Sequence, residues 1–274
     1  MSEVQVSFLG TGAGNCIHRA HTAIVLDCAN DTRLLLDAGS GNSMLRHGAE
    51  LGMLAPSFEQ VLLSHRHADH MAGLPHLQGQ RSMVNPGGAP LKVYSTEISL
   101  QGVQSLFRAT SITQQVDQDG VRTREGRDTV RWHPAQEGHW VHLGENLRAT
   151  CFPVNHIDGA VGWRVESDGV SVVFSGDTRY CENLAVAAQG ADLLIHEALS
   201  THHDQEGTNR RGHSTAAEAA RIAAQAGVAA LVLTHIDTGF HFDPQPLIAE
   251  ARRYYDGPIS LAHDLYQMTV AAPG

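Results

Sequence analysis

The sequence lacks the features that mark a membrane-spanning, secreted or multidomain protein. No apolar run reaches the ~18 residues that a helix needs to cross a bilayer, and the N-terminus, MSEVQVSFLGTGAG, has no basic segment followed by an apolar one. No Ser- or Gly-rich linker and no internal repeat divides the 274 residues. The sequence therefore predicts one cytoplasmic domain over residues 1–274, with no membrane partner.

Cysteine and positive charge are also scarce. The four cysteines lie far apart and form no Cys-x-x-Cys pair, which disfavours a disulfide framework and a thiolate zinc site and predicts reduced, buried thiols. The chain has 19 Lys and Arg residues against 29 Asp and Glu residues, a formal net charge of −10, without any run of like charges. The electrostatic pattern of a dedicated nucleic-acid-binding protein is therefore missing.

Histidine, in contrast, is abundant, with 18 residues. Because histidine is the commonest metal ligand and a frequent general acid or base, clusters of this residue are informative. Most of the isolated histidines, such as His18, His47 and His133, are expected to have no chemical role.

One cluster of possible ligands directly follows a short apolar run. The segment VLLSHRHADHMAGLP, residues 61–75, contains His65, His67, Asp69 and His70. QVLLS is expected to be a buried strand, so the cluster lies at the C-terminal end of that strand, where α/β folds place their chemistry. A polar surface loop is the alternative, but so dense a group of ligand types after an apolar strand indicates a metal site.

Three further candidate ligands end apolar, β-rich runs in the same way. FPVNH ends at His156, VVFSGD ends at Asp177 and LVLTH ends at His235. Each alone is more typical of a residue that caps a turn, but the repeated context favours a shared role. Imidazole nitrogen and carboxylate oxygen suit zinc, with manganese and iron as substitutes. The set predicts two divalent metal ions per chain, with Zn²⁺ favoured and Mn²⁺ or Fe²⁺ as alternatives.

Short β-rich runs alternate with helical segments through both halves of the sequence. The clearest helix is TAAEAARIAAQAG, residues 215–227, where Thr215 and Glu218 form a capping box and Gly227 is placed to end the helix. Strands and helices in both halves predict an α/β fold of two sheets between helical layers. The polar, aperiodic segment from Val116 to Trp140 is expected to be a long loop or hairpin insertion near the site.

These motifs together resemble the metallo-β-lactamase superfamily, and the likeness extends over nearly the whole chain. The ligand-like run HRHADH, the later His156 and His235, and the motif Gly176-Asp177-Thr178 are similar to the ligand set of that family. The segments SFLGTGAG, HRHADHMAGLP, LLIHEA, GHSTAAEAA and LVLTH resemble, in the same order, segments of ribonuclease Z and its relatives. The resemblance implies the αββα sandwich, in which two mixed β-sheets are flanked by helices.

The resemblance also implies which residues bind each metal ion. One ion is expected to bind His65, His67 and His156. The other is expected to bind Asp69, His70 and His235, and Asp177 is expected to bridge the two ions.

Four residues are implied to act beside or behind the metals. Asp37, in LLLDAGSG, is expected to orient the metal-binding loop, and Asp69 is a candidate to orient the attacking water as a base. His213 in GHST and Glu197 in LLIHEA match a pair in which the histidine protonates or stabilises a leaving group. Without the resemblance, His213 would be a helix flank and Glu197 a carboxylate at a strand end.

The expected activity is that of a dinuclear metal-dependent hydrolase. A water between two divalent ions loses a proton near neutral pH, and the bridging hydroxide is the expected nucleophile. A small anionic substrate is favoured, most of all a phosphodiester. An aryl sulfate, a lactone or a thioester is an alternative, as is tRNA 3′ processing. A non-catalytic binding module is disfavoured because the ligand set is complete.

One departure from the ribonuclease Z pattern bears on the substrate. Those enzymes grip tRNA with a long arm inserted between the third ligand motif and the bridging aspartate, but only 20 residues separate His156 from Asp177 here. These residues predict two strands joined by a tight Ser-Asp-Gly turn. Without the arm, and with an acidic net charge, nucleic acid is not favoured as a partner. A homodimer is implied by analogy alone.

Overall fold

The strands and helices of the chain follow in close succession. The computed structural model describes residues 2–28, 30–111 and 114–272. The strands, numbered along the chain, are β1 (Glu3–Gly10), β2 (Ala23–Asp27), β3 (Arg33–Leu36), β4 (Gln60–Leu62), β5 (Leu91–Ser95), β6 (Gln114–Val116), β7 (Gly120–Thr123), β8 (Asp128–Pro134), β9 (Trp140–Gly144), β10 (Leu147–Pro153), β11 (Val161–Ser167), β12 (Val170–Phe174), β13 (Leu193–Glu197), β14 (Leu231–Thr234), β15 (Ile259–Leu261) and β16 (Gln267–Ala271). The helices are α1 (Ser43–Glu50), α2 (Ala68–Met71), α3 (Leu74–Val84), α4 (Glu97–Thr110), α5 (Glu182–Ala187), α6 (Gln205–Arg210), α7 (Ala216–Ala226) and α8 (Gln245–Ala251).

These strands form two mixed sheets. Over the described ranges, the first sheet has the order β16-β1-β2-β3-β4-β5-β8-β7-β6, and the second has the order β15-β14-β13-β12-β11-β10-β9. Strands β3, β4, β5 and β8 run parallel to one another, and so do β12, β13, β14 and β15. The carboxyl ends of each parallel set therefore meet at one edge of the sheet, which is where chemistry is placed in such folds.

Three hydrophobic clusters define the layers. The inner faces of both sheets meet in one cluster that includes Phe8, Leu26, Trp163 and Phe174. The outer face of the first sheet packs against α1, α3 and α4, and the outer face of the second sheet packs against α5, α7 and α8. The order of layers is helix, sheet, sheet, helix, which confirms the αββα sandwich expected from the sequence.

The helix α7 forms as the sequence predicts. The Thr215 hydroxyl accepts a hydrogen bond from the Glu218 N–H, and the Glu218 carboxylate accepts one from the Thr215 N–H, so both halves of the capping box are present. The helix ends at Gly227, whose φ of 62° is the left-handed conformation that glycine adopts readily.

The segment from Val116 to Trp140 was expected to be a long loop or a hairpin insertion, and the structure has hairpins there. It contains β7 and β8, which with β6 form an antiparallel extension of the first sheet, and β8 pairs in parallel with β5. The segment is polar because its exposed side carries ion pairs of Arg122 with Asp117 and Asp128. Its inward side chains join the core of the first sheet, and they are Val121, Val130 and Trp132.

Two other sequence expectations can be compared with the structure. All four cysteines are buried and free, as predicted. No helix in the described part of the chain is long and apolar enough to cross a membrane.

Candidate metal centre

The centre lies where the two sheets meet at the carboxyl ends of their parallel strands. In the first sheet, β3 is followed by Asp37 and β4 by His65. In the second sheet, β12 leads to Asp177, β13 ends at Glu197 and β14 is followed by His235. The loop after β4 is also bonded to β11 of the other sheet, through the Val161 N–H to the Ser64 carbonyl at 3.0 Å. This bond holds the two sheet edges together beside the site.

One group of possible ligands consists of three histidines and a carboxylate. Ligand atoms of His65, His67, His156 and Asp177 lie within 4.8 Å of one another. His67 Nδ1 is 3.0 Å from His65 Nε2 and 3.0 Å from His156 Nε2. Three imidazole nitrogens that converge with a carboxylate form a donor set suited to a divalent cation.

A second group lies beside the first. It contains Asp69, His70, Asp177 and His235, whose ligand atoms also lie within 4.8 Å of one another. Asp69 and His70 are on the short helix α2, which brings them over the same edge as His235. His70 Nε2 is 3.2 Å from Asp177 Oδ2, and His235 Nε2 is 3.4 Å from the same oxygen.

Asp177 belongs to both groups. Its Oδ2 atom lies 3.6 Å from His65 Nε2 and 3.8 Å from His156 Nε2, as well as close to the histidines of the second group. One carboxylate oxygen therefore faces both sets of donors, which is the position that a bridging ligand would require. The structure thus brings together all seven of the predicted ligands.

Asp37 holds the histidine loop from behind. Its carboxylate accepts hydrogen bonds from the Ser64 N–H and hydroxyl, both at 2.7 Å, and from His70 Nδ1 at 2.7 Å. The Ser64 hydroxyl in turn lies 3.0 Å from His65 Nδ1. The Nδ1 proton of His70 is therefore engaged by the carboxylate, and Nε2 is the ring nitrogen that faces the site.

Contacts on the side away from Asp177 also fix the rings of His156 and His235. His156 Nδ1 donates to the Gly212 carbonyl at 2.8 Å, and His235 Nδ1 lies 2.9 Å from the Thr22 hydroxyl. In both residues Nε2 points toward Asp177. Such outward contacts fix the ring orientation and raise the basicity of a metal ligand.

The surroundings of His70, in addition to the composition of the donor set, indicate that the centre fits a cation. His70 Nε2 is buried and makes no hydrogen bond, although Asp177 Oδ2 lies 3.2 Å away, and a buried nitrogen without such a bond is costly. Burial opposes a charge on His70, but the nearby carboxylates, Asp177 first and then Asp69, outweigh it and raise its pKa well above the usual value. The carboxylates around Nε2 favour positive charge there, and a metal cation at Nε2 would supply that charge while satisfying the nitrogen.

Burial outweighs the carboxylates at the histidines with fewer acidic neighbours, so the net shift of their pKa is downward. It lowers the pKa of His156 to about 4 and that of His235 to about 3. These imidazoles are neutral near pH 7, which is the protonation state that binds metal.

His213 and Glu197 form a pair against the centre. His213 Nδ1 donates to Glu197 Oε1 at 3.0 Å and lies 3.9 Å from Asp177 Oδ2. Glu197 also accepts the N–H groups of Thr178 at 2.7 Å and Ser214 at 3.1 Å. Burial opposes a charge on His213, but Glu197 and Asp177 outweigh it and raise the pKa of His213 to about 9.

Two residues of the centre have an unusual backbone conformation that sequence patterns do not indicate. Asp37 has a φ of 55° and His235 a φ of 58°, in the left-handed region that non-glycine residues avoid. Such a conformation costs on the order of 1–3 kcal/mol and persists where surrounding contacts hold it, often at functional sites.

The centre opens into a cavity of about 230 Å³ whose walls include residues that the sequence analysis did not assign. These residues are Ala13, Gly14, Asn15, Leu199 and Arg211. A Cβ atom on Gly14 would lie 3.0 Å from Asp69 Oδ2, so glycine leaves room beside that carboxylate. The motif FLGTGAG indicates the part of the wall that contains Ala13 and Gly14, whereas no local motif indicates Leu199 or Arg211. The segment from Val116 to Trp140 contributes no described residue to these walls, contrary to its expected place near the site.

Comparisons with known proteins identify relatives of this chain in sequence and in fold. A family model described as "Beta-lactamase superfamily domain" matches residues 24–236. Ribonuclease Z of Gemmatimonas aurantiaca is 33% identical over 311 aligned positions, which cover 97% of this chain and 96% of that protein. The metallo-β-lactamase fold protein YhfI of Bacillus subtilis has a TM-score of 0.79 at 23% identity, and the match covers 97% of this chain and 99% of YhfI. The short form of human tRNase Z has a TM-score of 0.74 at 22% identity, over 98% of this chain and 100% of that one.

Proposed function

The chain belongs to the metallo-β-lactamase superfamily of hydrolases, and we propose that it is a dinuclear phosphodiesterase that cleaves RNA near its 3′ end. The observation that carries the proposal is the single oxygen of Asp177 that faces two donor groups, with the His213–Glu197 pair beside it. Phosphodiester cleavage needs positive charge beside the phosphoryl oxygens, which metal ions at the two donor groups would supply. It also needs a proton for the leaving alkoxide, which the His213–Glu197 pair would supply.

The residues that would hold the metals are those of the two donor groups. His65, His67 and His156 would hold one ion, Asp69, His70 and His235 would hold the other, and Asp177 would contact both. Nitrogen and carboxylate donors favour Zn²⁺, with Mn²⁺ or Fe²⁺ able to replace it. Divalent ions supply Lewis acidity, which lowers the pKa of water and offsets negative charge on the substrate.

Asp69 is the candidate to orient the attacking water. Its carboxylate lines the cavity and is half-buried, whereas Asp177 is buried. Burial opposes its ionisation, but His70 outweighs burial and holds the pKa of Asp69 well below its usual range. The carboxylate is therefore ionised near neutral pH and can accept a hydrogen bond from a water in the cavity.

His213 is the candidate proton donor. Its Nδ1 is engaged by Glu197, which leaves Nε2 as the free ring nitrogen of a residue that lines the cavity. A protonated imidazole held in this way can give a proton to the leaving oxygen, which typically contributes a factor of about 10²–10⁴ in rate.

RNA is favoured over a small diester as the substrate because the full-length relatives are named ribonuclease Z. The second candidate, a small phosphodiester, is favoured by one feature of this chain. Strands β11 and β12 are joined by a tight turn at Asp168 and Gly169, where an RNA-gripping arm would have to be inserted. The formal net charge of −10 also gives little attraction for a nucleic-acid backbone.

The test compares two substrates and two variants. One substrate is a tRNA acceptor stem with a 3′ trailer, and the other is methyl p-nitrophenyl phosphate. Asp177→Ala is the variant of the centre, and Asp256→Ala is a control at an exposed position. We expect metal content, measured by atomic absorption, to fall from about two ions per chain to one or none in Asp177→Ala, and turnover to be lost. Asp256→Ala should match the wild type.

Each outcome bears on a different part of the proposal. If Asp177→Ala keeps two metals, the assignment of the bridging residue is wrong. Turnover of methyl p-nitrophenyl phosphate without cleavage of the RNA would favour the small diester. Turnover of neither substrate by a protein that holds two metals would exclude phosphodiester chemistry.

A further inference from the structure

Two loops extend from the metal centre and place aromatic rings on the surface beside it. The first continues from Asn15, in the cavity wall, to His18, and the second continues from His235 to His241 and Phe242. The two loops are bonded to each other, because the Asn15 amide donates to Asp237 Oδ2 at 2.7 Å, and the Ala13 N–H donates to the Ile236 carbonyl at 3.1 Å.

The rings of His18, His241 and Phe242 form one compact group, here called the ring platform. The rings of His18 and His241 are stacked, with centroids 4.9 Å apart and an interplanar angle of 25°. Phe242 lies edge-on to both, with centroid distances of 4.8 Å to His18 and 4.6 Å to His241. Burial and Arg19 lower the pKa of His241, which favours the neutral ring.

The ring platform is not explained by the packing of the fold. Phe242 is 80% exposed and Ile17, next to His18, is 85% exposed, which are the two highest values for large hydrophobic side chains in the described ranges. His241 Nδ1 has no hydrogen-bond partner although it is inaccessible to water. Exposed apolar groups next to a site commonly mark a binding surface.

A pocket of about 480 Å³ adjoins the ring platform, which is a size typical of ligand sites. Its walls include His18, Arg19 and His241, with Ile248 of α8 and Asp264. The Asp264 carboxylate accepts the N–H groups of Thr11 at 3.1 Å and Ala20 at 2.7 Å, so it fixes the two ends of the first loop. The position of His18 is therefore largely set before any ligand binds.

The ring platform lies within reach of a substrate held at the metals. His18 lies three residue steps beyond Asn15 along the chain, and three steps span at most ~11 Å. Successive phosphates of a stacked strand are ~3.4 Å apart along its axis. A base up to about three nucleotides from the cleaved bond can therefore contact these rings.

We propose that the ring platform stacks a nucleobase of single-stranded RNA beside the bond that is cleaved, an inference that rests on the proposed function. Unpaired bases are recognised largely by stacking on Phe, Tyr, Trp or His side chains. Stacking does not depend on net positive charge, so it gives an acidic protein without an arm a means to hold RNA. Because every base has an aromatic face, the contact tolerates many sequences.

The test measures binding by the metal-loaded full chain. The probe is a fluorescein-labelled oligoadenylate hexamer whose phosphorothioate linkages resist hydrolysis, and the control probe is the same hexamer without bases. Phe242→Ala removes one ring of the platform at an exposed position. Val186→Ala is the matched control, because Val186 is a 73% exposed apolar residue on α5.

We expect Phe242→Ala to weaken binding of the oligoadenylate on the order of 10-fold, in fluorescence anisotropy, and to leave binding of the abasic hexamer unchanged. Val186→Ala should bind both probes as the wild type does. Wild-type affinity of Phe242→Ala for the oligoadenylate would overturn the inference, as would an equal loss for both probes. A change from dimer to monomer in Phe242→Ala, seen by sedimentation, would assign the rings to a subunit contact instead.

Hydrolysis of methyl p-nitrophenyl phosphate by the wild type separates this inference from the proposed function. Base-dependent binding by a protein that hydrolyses neither methyl p-nitrophenyl phosphate nor RNA would leave the ring platform as an RNA-binding surface and would defeat the phosphodiesterase. Hydrolysis that is accompanied by equal binding of both probes would retain the phosphodiesterase and defeat the stacking role.

Discussion

The metal centre depends on contacts that fix single rings. His70 donates its Nδ1 proton to Asp37, and His156 donates its Nδ1 proton to the Gly212 carbonyl, so in each ring Nε2 faces Asp177. A histidine without such a contact could expose either nitrogen and would lose rotational freedom on binding a metal. The outward hydrogen bonds therefore prepare the donor set before a cation arrives.

His213 is the residue whose role is most easily separated from metal binding. We expect His213→Ala to retain its metals and to cleave RNA about 10²–10⁴ times more slowly, because the ribose alkoxide is a poor leaving group that needs a proton. Methyl p-nitrophenyl phosphate should be affected much less, because p-nitrophenolate leaves without one. Steady-state rates on both substrates test this difference.

The control for this prediction is Glu197→Gln. The amide can still accept the hydrogen bond of His213 at Oε1, but it lacks the negative charge that raises the pKa of the imidazole. We expect an intermediate loss of RNA cleavage. Equal slowing of both substrates by His213→Ala would contradict the proton-donor role and indicate that the residue positions the substrate or a metal.

The sequence was sufficient to predict which residues meet at the centre but not how their backbones are held. His156, Asp177 and His235 were recognisable because each follows an apolar run, and strand ends converge in this fold. The left-handed conformations of Asp37 and His235 arise from tertiary contacts, and these two residue types do not indicate them. The contact of His18 with His241, 223 residues later, likewise depends on the folded loops. The sequence therefore did not indicate a role for His18.

At the scale of elements, local patterns predict best where they are regular. Helix α7 has a capping box, a buried apolar face and a terminal glycine, and it forms as expected. Helix α3 was not predicted, because Gly79 and the buried polar residues Gln78 and Arg81 interrupt its apolar pattern. The hairpin of β7 and β8 could not be distinguished from a long loop, because charged side chains on the exposed faces of these strands hide the apolar alternation.

The N-terminal cap of α7 gives a prediction about stability. The Thr215 hydroxyl accepts the Glu218 N–H, and the Thr215 side chain also bonds the Glu218 carboxylate at 3.0 Å. We expect Thr215→Ala to lower the free energy of unfolding by about 1 kcal/mol, measured by urea denaturation of the metal-loaded protein. Thr215→Ser retains the hydroxyl and should lose much less, and an equal loss in both variants would assign the effect to the methyl group instead.

For the whole molecule, the main question is how an acidic protein would select RNA. The proposed contacts are confined to the cavity at the metals and to the ring platform beside it, and β11 and β12 are joined by a tight turn where an arm would extend to the distant parts of a tRNA. Recognition would then be limited to the few nucleotides around the cleaved bond.

This confinement predicts a weak dependence on RNA length and salt. We expect kcat/KM for a full tRNA precursor to lie within about 10-fold of the value for a short single strand with the same 3′ sequence, because the remainder of the tRNA makes no contact. Since each neutralised phosphate of a single strand contributes about 0.7 to the slope of log K against log salt, contact with two or three phosphates predicts a slope of about −2 or shallower. Cleavage assays give the ratio of the kcat/KM values, and binding assays over a range of salt concentrations give the slope. A preference of more than about 100-fold for the full precursor, with a steeper slope, would contradict this confinement, because it would require a cationic surface far from the metals.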